Sequence, residues 1–376
     1  MTGLRHSINR RSVTGGLLVG LTGLAAAEGG SAAVRPPKKA SPIDGAWRHF
    51  GSPQEAGFSD DLNKLSQALY GEPTTSFVVI RHGRIAYSYG DLGQVSYLAS
   101  ARKSILSMLY GSAVAKGLIE LDATLEQLGI DDVGGLLPIE RSARVRDLLT
   151  ARSGVYHLAS SPGGNENEPA RGSVKPGTRF VYNNWDFNVA GAIFEKCTGR
   201  TVHGAFASDF AAPLGMEDFD PARQRMLSYR QSPSKYPAYH FFLSARDMAR
   251  LGLTMLNNGR WKDRQIVPAN WVAESTAVHV LPSDIPMLDH AFGYGFLWWL
   301  PASKAPGWAG SFAALGNYGQ ALFVFPALDM VVVHRRAVTD DFAIARNAGL
   351  TSASPAGGEP KLMPLVNMVV EAVRDR

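Results

Sequence analysis

Hydrophobic residues recur every three or four positions in several stretches of the chain, and each such stretch predicts an amphipathic helix. The most informative one contains Ile105, Met108 and Leu109, so a helix should begin near Ser100. Three further stretches are followed by glycine or asparagine, residues that commonly end helices. These three stretches cover residues 145–154, 185–198 and 248–256, and a last helix begins at Pro364.

Short runs of β-branched and aromatic residues predict the strands. Residues 76–81 and 84–89 form one pair, and His82-Gly83 between them favours a tight β-hairpin. Strands at both ends of the chain with helices between them predict an α/β (α+β) fold: an antiparallel β-sheet flanked by terminal helices, plus an all-helical lobe. The active site would lie between the lobes. The other predicted strands are residues 292–299, 310–315, 320–325 and 330–334.

The first 27 residues are typical of an export signal. Arg10 and Arg11 precede a glycine-rich apolar run, residues 15–27, which is too short to span a bilayer and ends in an Ala-x-Ala cleavage pattern. The arginine pair is typical of a twin-arginine signal, which predicts a periplasmic or secreted protein without a membrane anchor after cleavage. A structural helix is the alternative interpretation. Residues 28–45, rich in glycine, proline and charge, read as a linker.

Length, composition and charge limit the possible domain organisation and function of the protein. With 376 residues and 45% hydrophobic content, the chain can form one large domain over residues 46–376. Within it we expect an α/β lobe over about 46–103 and 241–376, and a helical lobe over about 104–240. Part of the net charge of +5 lies in the first 40 residues, and no basic block with interleaved aromatics follows, so nucleic-acid binding is not expected. The single cysteine, Cys197, excludes an internal disulfide.

Ser100 and Lys103 are three positions apart at the start of a predicted helix, so their side chains share one face. The free N–H groups and the dipole of a first helical turn favour negative charge on the serine. The same field, together with burial, lowers the pKa of a lysine and lets Lys103 act as a base. This pair predicts a nucleophile beside its base. A second Ser-x-x-Lys, residues 232–235, contains Pro233 in a polar stretch and reads as a loop.

A second polar and aromatic cluster, residues 180–188, gives this pair its context. Ser-x-x-Lys followed downstream by Tyr182-Asn-Asn184 resembles serine β-lactamases of the class C type, penicillin-binding proteins and related esterases. Within that superfamily, residues 180–188 are most similar to 6-aminohexanoate-dimer hydrolases. The resemblance runs over about residues 46–340 and implies a β-lactamase/transpeptidase-like fold. Its other segments are residues 145–149, 213–216, 247–250, 256–259, 294–298 and 319–320, with Pro326.

The resemblance implies a role for each polar residue of these motifs. Ser100 is the nucleophile, Lys103 its activating base, and Tyr182 passes protons to the leaving group and later activates water. Whether Lys103 or Tyr182 takes the serine proton during acylation stays open. Asn184 would hydrogen-bond Lys103 and the substrate amide. The residue types suit this chemistry, because a serine hydroxyl needs a base and a phenolate needs a nearby ammonium; no metal or cofactor is implied.

The resemblance also implies a Lys-Thr-Gly or His-x-Gly strand before the last hairpin. Counting back from Pro326 places residues 311–313 there, where no basic residue can hold a substrate carboxylate, which argues against β-lactamase and DD-peptidase activity. The N–H near Ala314 is expected to form an oxyanion hole with the Ser100 N–H. Nearby aromatic side chains are candidate walls of a substrate pocket. They are Trp185, Tyr294, Trp298, Trp299 and Tyr318.

The sequence lacks the motifs of other hydrolase classes. It contains no Gly-x-Ser-x-Gly elbow and no His-Glu-x-x-His, and we interpret His157 and Asp186 as structural. The expected function is an exported serine hydrolase that forms an acyl-enzyme at Ser100 and cleaves small-molecule esters or amides, as an esterase or a 6-aminohexanoate-dimer hydrolase-like amidase. The alternatives are a β-lactamase or DD-peptidase and, from another class, a slowly deacylating penicillin-binding sensor or a non-catalytic binding protein.

Overall fold

A seven-stranded antiparallel β-sheet is the largest element of the protein. The computed structural model describes residues 47–162, 168–353, 355 and 361–374. The predicted export signal and linker lie outside these residues. The strands in chain order are β1 (Ser76–Arg81), β2 (Arg84–Gly90), β3 (Ser96–Tyr97), β4 (Arg225–Leu227), β5 (Ala238–His240), β6 (Phe242–Leu243), β7 (Arg260–Trp261), β8 (Arg264–Gln265), β9 (Phe292–Tyr294), β10 (Trp299–Pro301), β11 (Phe312–Gly316), β12 (Gln320–Phe325) and β13 (Met330–Arg335).

The strand order in the large sheet is β2–β1–β13–β12–β11–β10–β9, so the N-terminal hairpin pairs with the C-terminal strands. Three two-stranded sheets, β3–β6, β4–β5 and β7–β8, lie outside it. Every residue of β1, β12 and β13 is buried, which requires cover on both faces of the sheet. The predicted fold class, a mixed α/β fold with a large antiparallel sheet and helices, is confirmed.

Helices supply that cover and fill the middle of the chain. α8 packs against β1, β12 and β13, and the two terminal helices, α1 and α11, pack against each other. No helix within the described residues is long and apolar enough to cross a membrane. The helices are α1 (Leu65–Tyr70), α2 (Arg102–Ala115), α3 (Pro138–Arg141), α4 (Val145–Leu149), α5 (Asn184–Thr198), α6 (Val202–Phe206), α7 (Ala212–Leu214), α8 (Ala245–Leu256), α9 (Ala269–Ser275), α10 (Asp340–Asn347) and α11 (Leu362–Glu371).

The predicted hairpin between β1 and β2 is confirmed. Its two turn residues have φ values of 50° at His82 and 72° at Gly83, the left-handed conformation that suits the twist of a two-residue hairpin loop. The predicted strand over 292–299 is wrong in one respect, because it is two strands, β9 and β10. Leu297 takes a φ of 63° between them, so the chain reverses direction instead of extending.

Helix ends follow the local signals in the sequence. α5 ends before Gly199, which has a φ of 67°, and α8 begins after Ser244, whose hydroxyl accepts a hydrogen bond from the Asp247 N–H. The helix predicted over 145–154 is shorter and ends at Leu149. Local capping therefore fixes where α5 ends and where α8 begins.

Candidate active site

Ser100 lies in a single 3₁₀ turn, Ala99–Ala101, that leads directly into α2. Ala99 has a φ of 47°, an uncommon conformation for a residue with a side chain, and so the backbone bends sharply just before the serine. Ser100 is partly exposed, whereas the residues on both sides of it are buried. This geometry places the hydroxyl at the amino end of α2, and a helix beginning near Ser100 is what the sequence predicts.

Lys103 joins the two other groups predicted to be catalytic. Its Nζ lies 2.9 Å from the Ser100 Oγ and 2.8 Å from the Tyr182 hydroxyl. The same nitrogen lies 4.4 Å from the ring centroids of both Tyr182 and Phe187, and the side chain is 1% exposed. One buried amine therefore contacts both hydroxyl groups at once.

Burial sets the protonation of this group of side chains. Burial, and to a smaller extent the Arg102 guanidinium, holds the pKa of the Lys103 amine well below its ordinary value. Burial also raises the pKa of the Tyr182 phenol to about 12, against weaker opposing effects of its hydrogen bond with Ser100 and of the Arg102 charge. The site thus holds an amine shifted toward its neutral, proton-accepting form beside a phenol able to donate a proton.

Tyr182 is fixed in place by aromatic contacts. Its ring stacks on Trp299 at 5.4 Å and meets Tyr294 edge to face at 6.4 Å. Phe187, one turn into α5, packs against it at 4.8 Å. The hydroxyl is therefore held toward Lys103 by a rigid apolar wall.

β11, the strand in the place of the expected Lys-Thr-Gly or His-x-Gly strand, approaches Ser100 at Gly316. A Cβ on Gly316 would lie 2.4 Å from the Leu98 carbonyl oxygen and 3.0 Å from the Ser100 nitrogen. The backbone therefore approaches the nucleophile at 316–317, where Asn317 lines the cavity. We therefore expect the Asn317 N–H to act with the Ser100 N–H as the backbone donors for an oxyanion.

The predicted position of that donor, Ala314, is corrected by this geometry. Ala314 is buried in the sheet opposite Leu322 and is not among the residues lining the cavity. The register predicted by counting back from Pro326 is wrong: β11 ends at Gly316, and the backbone approaches Ser100 there and not at residues 311–313. Residues 314–316 at this end of the strand again include no basic side chain.

Gly316→Ala should displace the backbone of the nucleophile, because the new methyl group would clash with backbone atoms that cannot rotate away. We expect a loss of about 1–3 kcal/mol in the free energy of unfolding and at least a tenfold drop in kcat/KM, about the size of a damaged oxyanion contact. Urea unfolding and ester turnover measure the two effects. Gly71→Ala is the matched control, since its Cβ would meet its nearest neighbour at 3.6 Å. Equal effects of both substitutions would contradict the assignment of Gly316 as the residue where β11 approaches Ser100.

A cavity of about 760 Å³ opens above Ser100. Its floor comes from rigid elements: the start of α2, the start of α5 and the end of β11. Its exposed rim comes from loop residues 283–287, and residues 161–162 and α10 complete the lining. The described lining residues are Tyr97, Ala99, Ser100, Arg102, Ser161, Pro162, Arg179, Phe180, Val181, Tyr182, Asn184, His240, Ser283, Asp284, Pro286, Met287, Asn317, Tyr318, Arg346 and Asn347.

Two of the other predicted substrate-binding residues line this cavity. Asn184 begins α5 and donates its side-chain N–H to the Pro162 carbonyl at 2.8 Å, which orients its carboxamide. Tyr318 lines the opposite side with a φ of 68°. Both residues therefore stay candidates for contact with a substrate.

Four predicted pocket walls, Trp185, Tyr294, Trp298 and Trp299, lie instead in the core. Trp185 is fully buried and donates its indole N–H to Asp132 at 2.7 Å. Tyr294 packs behind Tyr182, and Trp298 packs edge to face on Phe312. These side chains are large and apolar, and the sheet and helices enclose them completely, so they support the site without facing a substrate.

Several residues that line the cavity belong to no sequence motif, so they could not be identified from the sequence. His240 on β5 bonds Asn347 on α10 at 3.0 Å, and the Asn347 amide also donates to the Tyr97 hydroxyl. Arg346 lies beside them. These residues come from three distant segments, and tertiary packing alone brings them together. Within the described chain, no group of three His, Cys, Asp or Glu side chains is arranged to hold a metal ion.

Comparison with known proteins gives this geometry a family context. The family model described as Beta-lactamase matches residues 62–339. A curated relative, monacolin J acid methylbutanoyltransferase from Aspergillus terreus, is 29% identical over a region covering 32% of this chain and 36% of that protein. The chain thus spans about a third of the length of the curated relatives it matches.

Solved structures share the fold at lower sequence identity. A β-lactamase homologue from Bacteroides dorei aligns with a TM-score of 0.61 at 19% identity, over 84% of this chain and 99% of its own. A 6-aminohexanoate-dimer hydrolase homologue from Bacillus anthracis aligns at 0.56 and 19% identity, over 81% and 80%. EstCE1, described as a hydrolase with promiscuous acyltransferase activity, aligns at 0.55 and 16% identity, over 79% and 99%. The resemblance inferred from the motifs is confirmed.

Proposed function

We propose a function that starts from the family, because the chain belongs to the β-lactamase family. The protein is an exported serine hydrolase that cleaves small esters or amides through an acyl-enzyme at Ser100. The observation that carries this proposal is the single buried amine of Lys103 in contact with both Ser100 and Tyr182. The arginine pair at 10–11 and the apolar run after it support export.

Acylation follows from the protonation of the free site. The neutral Lys103 amine takes the proton of the Ser100 hydroxyl as the oxygen attacks the substrate carbonyl. Negative charge develops on the carbonyl oxygen, which the backbone N–H groups of Ser100 and Asn317 stabilise. Tyr182 gives its proton to the leaving group while the Lys103 ammonium stabilises the phenolate, and that ammonium then returns a proton to Tyr182.

Deacylation reverses these proton movements. A water molecule at the position of the departed leaving group gives a proton to the Tyr182–Lys103 pair and attacks the acyl carbonyl. The bond between Ser100 and the acyl group breaks, and the serine oxygen regains its proton. The whole cycle uses side chains and backbone of this chain and water.

The absence of a basic side chain over residues 314–316 favours esters and linear amides over β-lactams. In penicillin-recognising members of the superfamily, a basic residue at this strand helps to hold the substrate carboxylate, and Ala314 and Leu315 have no charge. β-Lactamase or DD-peptidase activity is therefore the alternative within the same chemistry. A slowly deacylating sensor is the alternative of another class.

Transfer of the acyl group to an alcohol is a second candidate activity. The relative from Aspergillus terreus is named as an acyltransferase and EstCE1 as a hydrolase with acyltransferase activity. A cavity of about 760 Å³ leaves room for an acceptor beside an acyl group. Product analysis with added butanol separates an ester product from free acid.

Intact-mass spectrometry after brief exposure to p-nitrophenyl acetate, 6-aminohexanoate dimer or nitrocefin tests the proposed function. We expect an adduct or turnover with the ester or amide, and none with nitrocefin. Ser100→Ala should show neither. Nitrocefin turnover would move the assignment to β-lactamase. An adduct that forms and then persists would identify a sensor, and no adduct or turnover with any of the three would reject the enzymatic proposal.

Tyr182→Phe should separate the two proton steps. Because p-nitrophenolate leaves without a proton, we expect the initial burst of p-nitrophenol to survive while steady turnover falls about 10²–10⁴-fold, the usual range for a lost general acid or base. Amide cleavage should fall by a similar factor without a burst. Stopped-flow absorbance measures both phases. Loss of the burst itself would make Tyr182, and not Lys103, the acylation base.

A further inference from the structure

Arg102 is a buried cation directly beside the proposed base. It opens α2, immediately before Lys103, and its side chain is almost completely buried, with 2% exposed. Its Nη2 donates to the Asn188 carboxamide oxygen at 3.2 Å, and its guanidinium lies 4.5 Å from the centroid of the Tyr239 ring. Among the described residues, no carboxylate pairs with it. Arg102 is thus held by neutral groups.

A buried guanidinium without a carboxylate partner lowers the stability of the folded protein. A buried charge is costly unless an opposite charge compensates it, and a cation over an aromatic ring recovers part of that cost. An apolar side chain of similar length would avoid the cost. The position therefore points to a role for the charge itself.

We propose that Arg102 is a positioning residue whose uncompensated charge acts together with burial to keep the neighbouring Lys103 amine unprotonated in the free enzyme. This inference rests on the proposed function, because it concerns the base of that reaction. Like charges in a medium of low dielectric repel strongly, so a second cation beside Arg102 is disfavoured. The same repulsion would drive the proton gained from Ser100 onward to Tyr182 and the leaving group.

Burial shifts the pKa values of the other buried titratable groups around this centre toward their uncharged forms. Burial raises the pKa values of Tyr182 and Tyr294, and it raises that of the Asp186 carboxyl well above its ordinary value. Burial lowers the pKa of His240, which faces the site from β5. The Tyr239 phenol, also on β5, has its pKa raised by burial. Arg179, Arg346 and Asp284 line the cavity but are more exposed, so water screens them.

The experiment is the pH dependence of kcat/KM for p-nitrophenyl acetate in the wild type and in two variants. Arg102→Met and Arg102→Gln remove the charge with similar side-chain length. Without the charge, Lys103 holds its proton more tightly, so the acidic limb of the profile should move to higher pH. We expect Arg102→Met to lose about tenfold in kcat/KM at pH 6 relative to the wild type, and to come within about threefold at pH 9.

Arg81→Met controls for the loss of a buried arginine. Arg81 is as buried as Arg102, but it bonds the Ala56 and Leu328 carbonyl oxygens near the β1–β2 turn, and its loss should lower stability without moving the limb. Arg102→Gln can keep the bond to Asn188 and serves if Arg102→Met does not fold. A limb that stays in place in both neutral variants would overturn the inference while leaving the proposed function intact. A wild-type protein that shows neither a Ser100 adduct nor turnover with any of the three test substrates would instead defeat the proposed function.

Discussion

Ser100→Ala is expected to lower kcat on p-nitrophenyl acetate by at least about 10⁴-fold, because a serine that acts as one unit with its base carries nearly all of the chemistry. The Ser100 hydroxyl contacts Lys103 and Tyr182, whereas the backbone around it is held by Gly316 and the start of α2. The substitution therefore removes the nucleophile and leaves the packing. Steady-state kinetics and thermal unfolding measure the two quantities, and Tm should change by no more than a few degrees.

Ser232→Ala is the matched control for this prediction. It changes the serine of the second Ser-x-x-Lys, where the hydroxyl bonds the Ser234 carbonyl within a loop. We expect nearly full activity. If Ser100→Ala kept more than about a hundredth of the wild-type kcat, Ser100 would not be the nucleophile.

Lys103→Met and Lys103→Arg should each lower kcat about 10³-fold or more. Methionine cannot accept a proton, and a guanidinium does not lose its own at any ordinary pH. Lys103→Met should fold with a Tm equal to or above that of the wild type, because it replaces a buried amine by an apolar side chain of similar length. Lys103→Arg should be less stable, since a larger charged group must fit between the rings of Tyr182 and Phe187.

The pH profile gives an independent check on Lys103. Because burial lowers the pKa of its amine, the wild-type enzyme should stay active well below the ordinary pKa of a lysine and lose activity as acid protonates the amine. The residual activity of Lys103→Met should lack that acidic limb. An acidic limb identical to that of the wild type would mean that another group is the base.

Local signals in the sequence were sufficient for most of the fold. The β1–β2 hairpin, the strands β12 and β13 and the ends of α5 and α8 depend on turn residues, alternation and caps within a few positions of each other. Ser100 and Lys103 could be paired for the same reason, because three positions in one helix fix their separation. Tyr182 required the family resemblance, since its contact with Lys103 spans 79 residues of sequence.

The errors arose where long-range packing decides. The place at which β11 meets Ser100 depends on how tightly Asn317–Gly319 turns, and sequence counting cannot fix that to one residue. Trp185 and Trp298 have the composition of pocket walls, but their burial follows from the elements that enclose them. The contact between His240 and Asn347 likewise has no sequence signature.

The division of the cavity between a rigid floor and a loop rim has a consequence for the evolution of specificity. Ser100, Lys103 and Tyr182 are anchored by helix starts and aromatic stacking, whereas residues 283–287 are a short, largely exposed loop. Substitutions in such a loop tend to cost little stability. New substrate preferences can therefore be acquired at the rim while the reactive centre stays unchanged, and a combinatorial library confined to residues 283–287 samples that freedom directly.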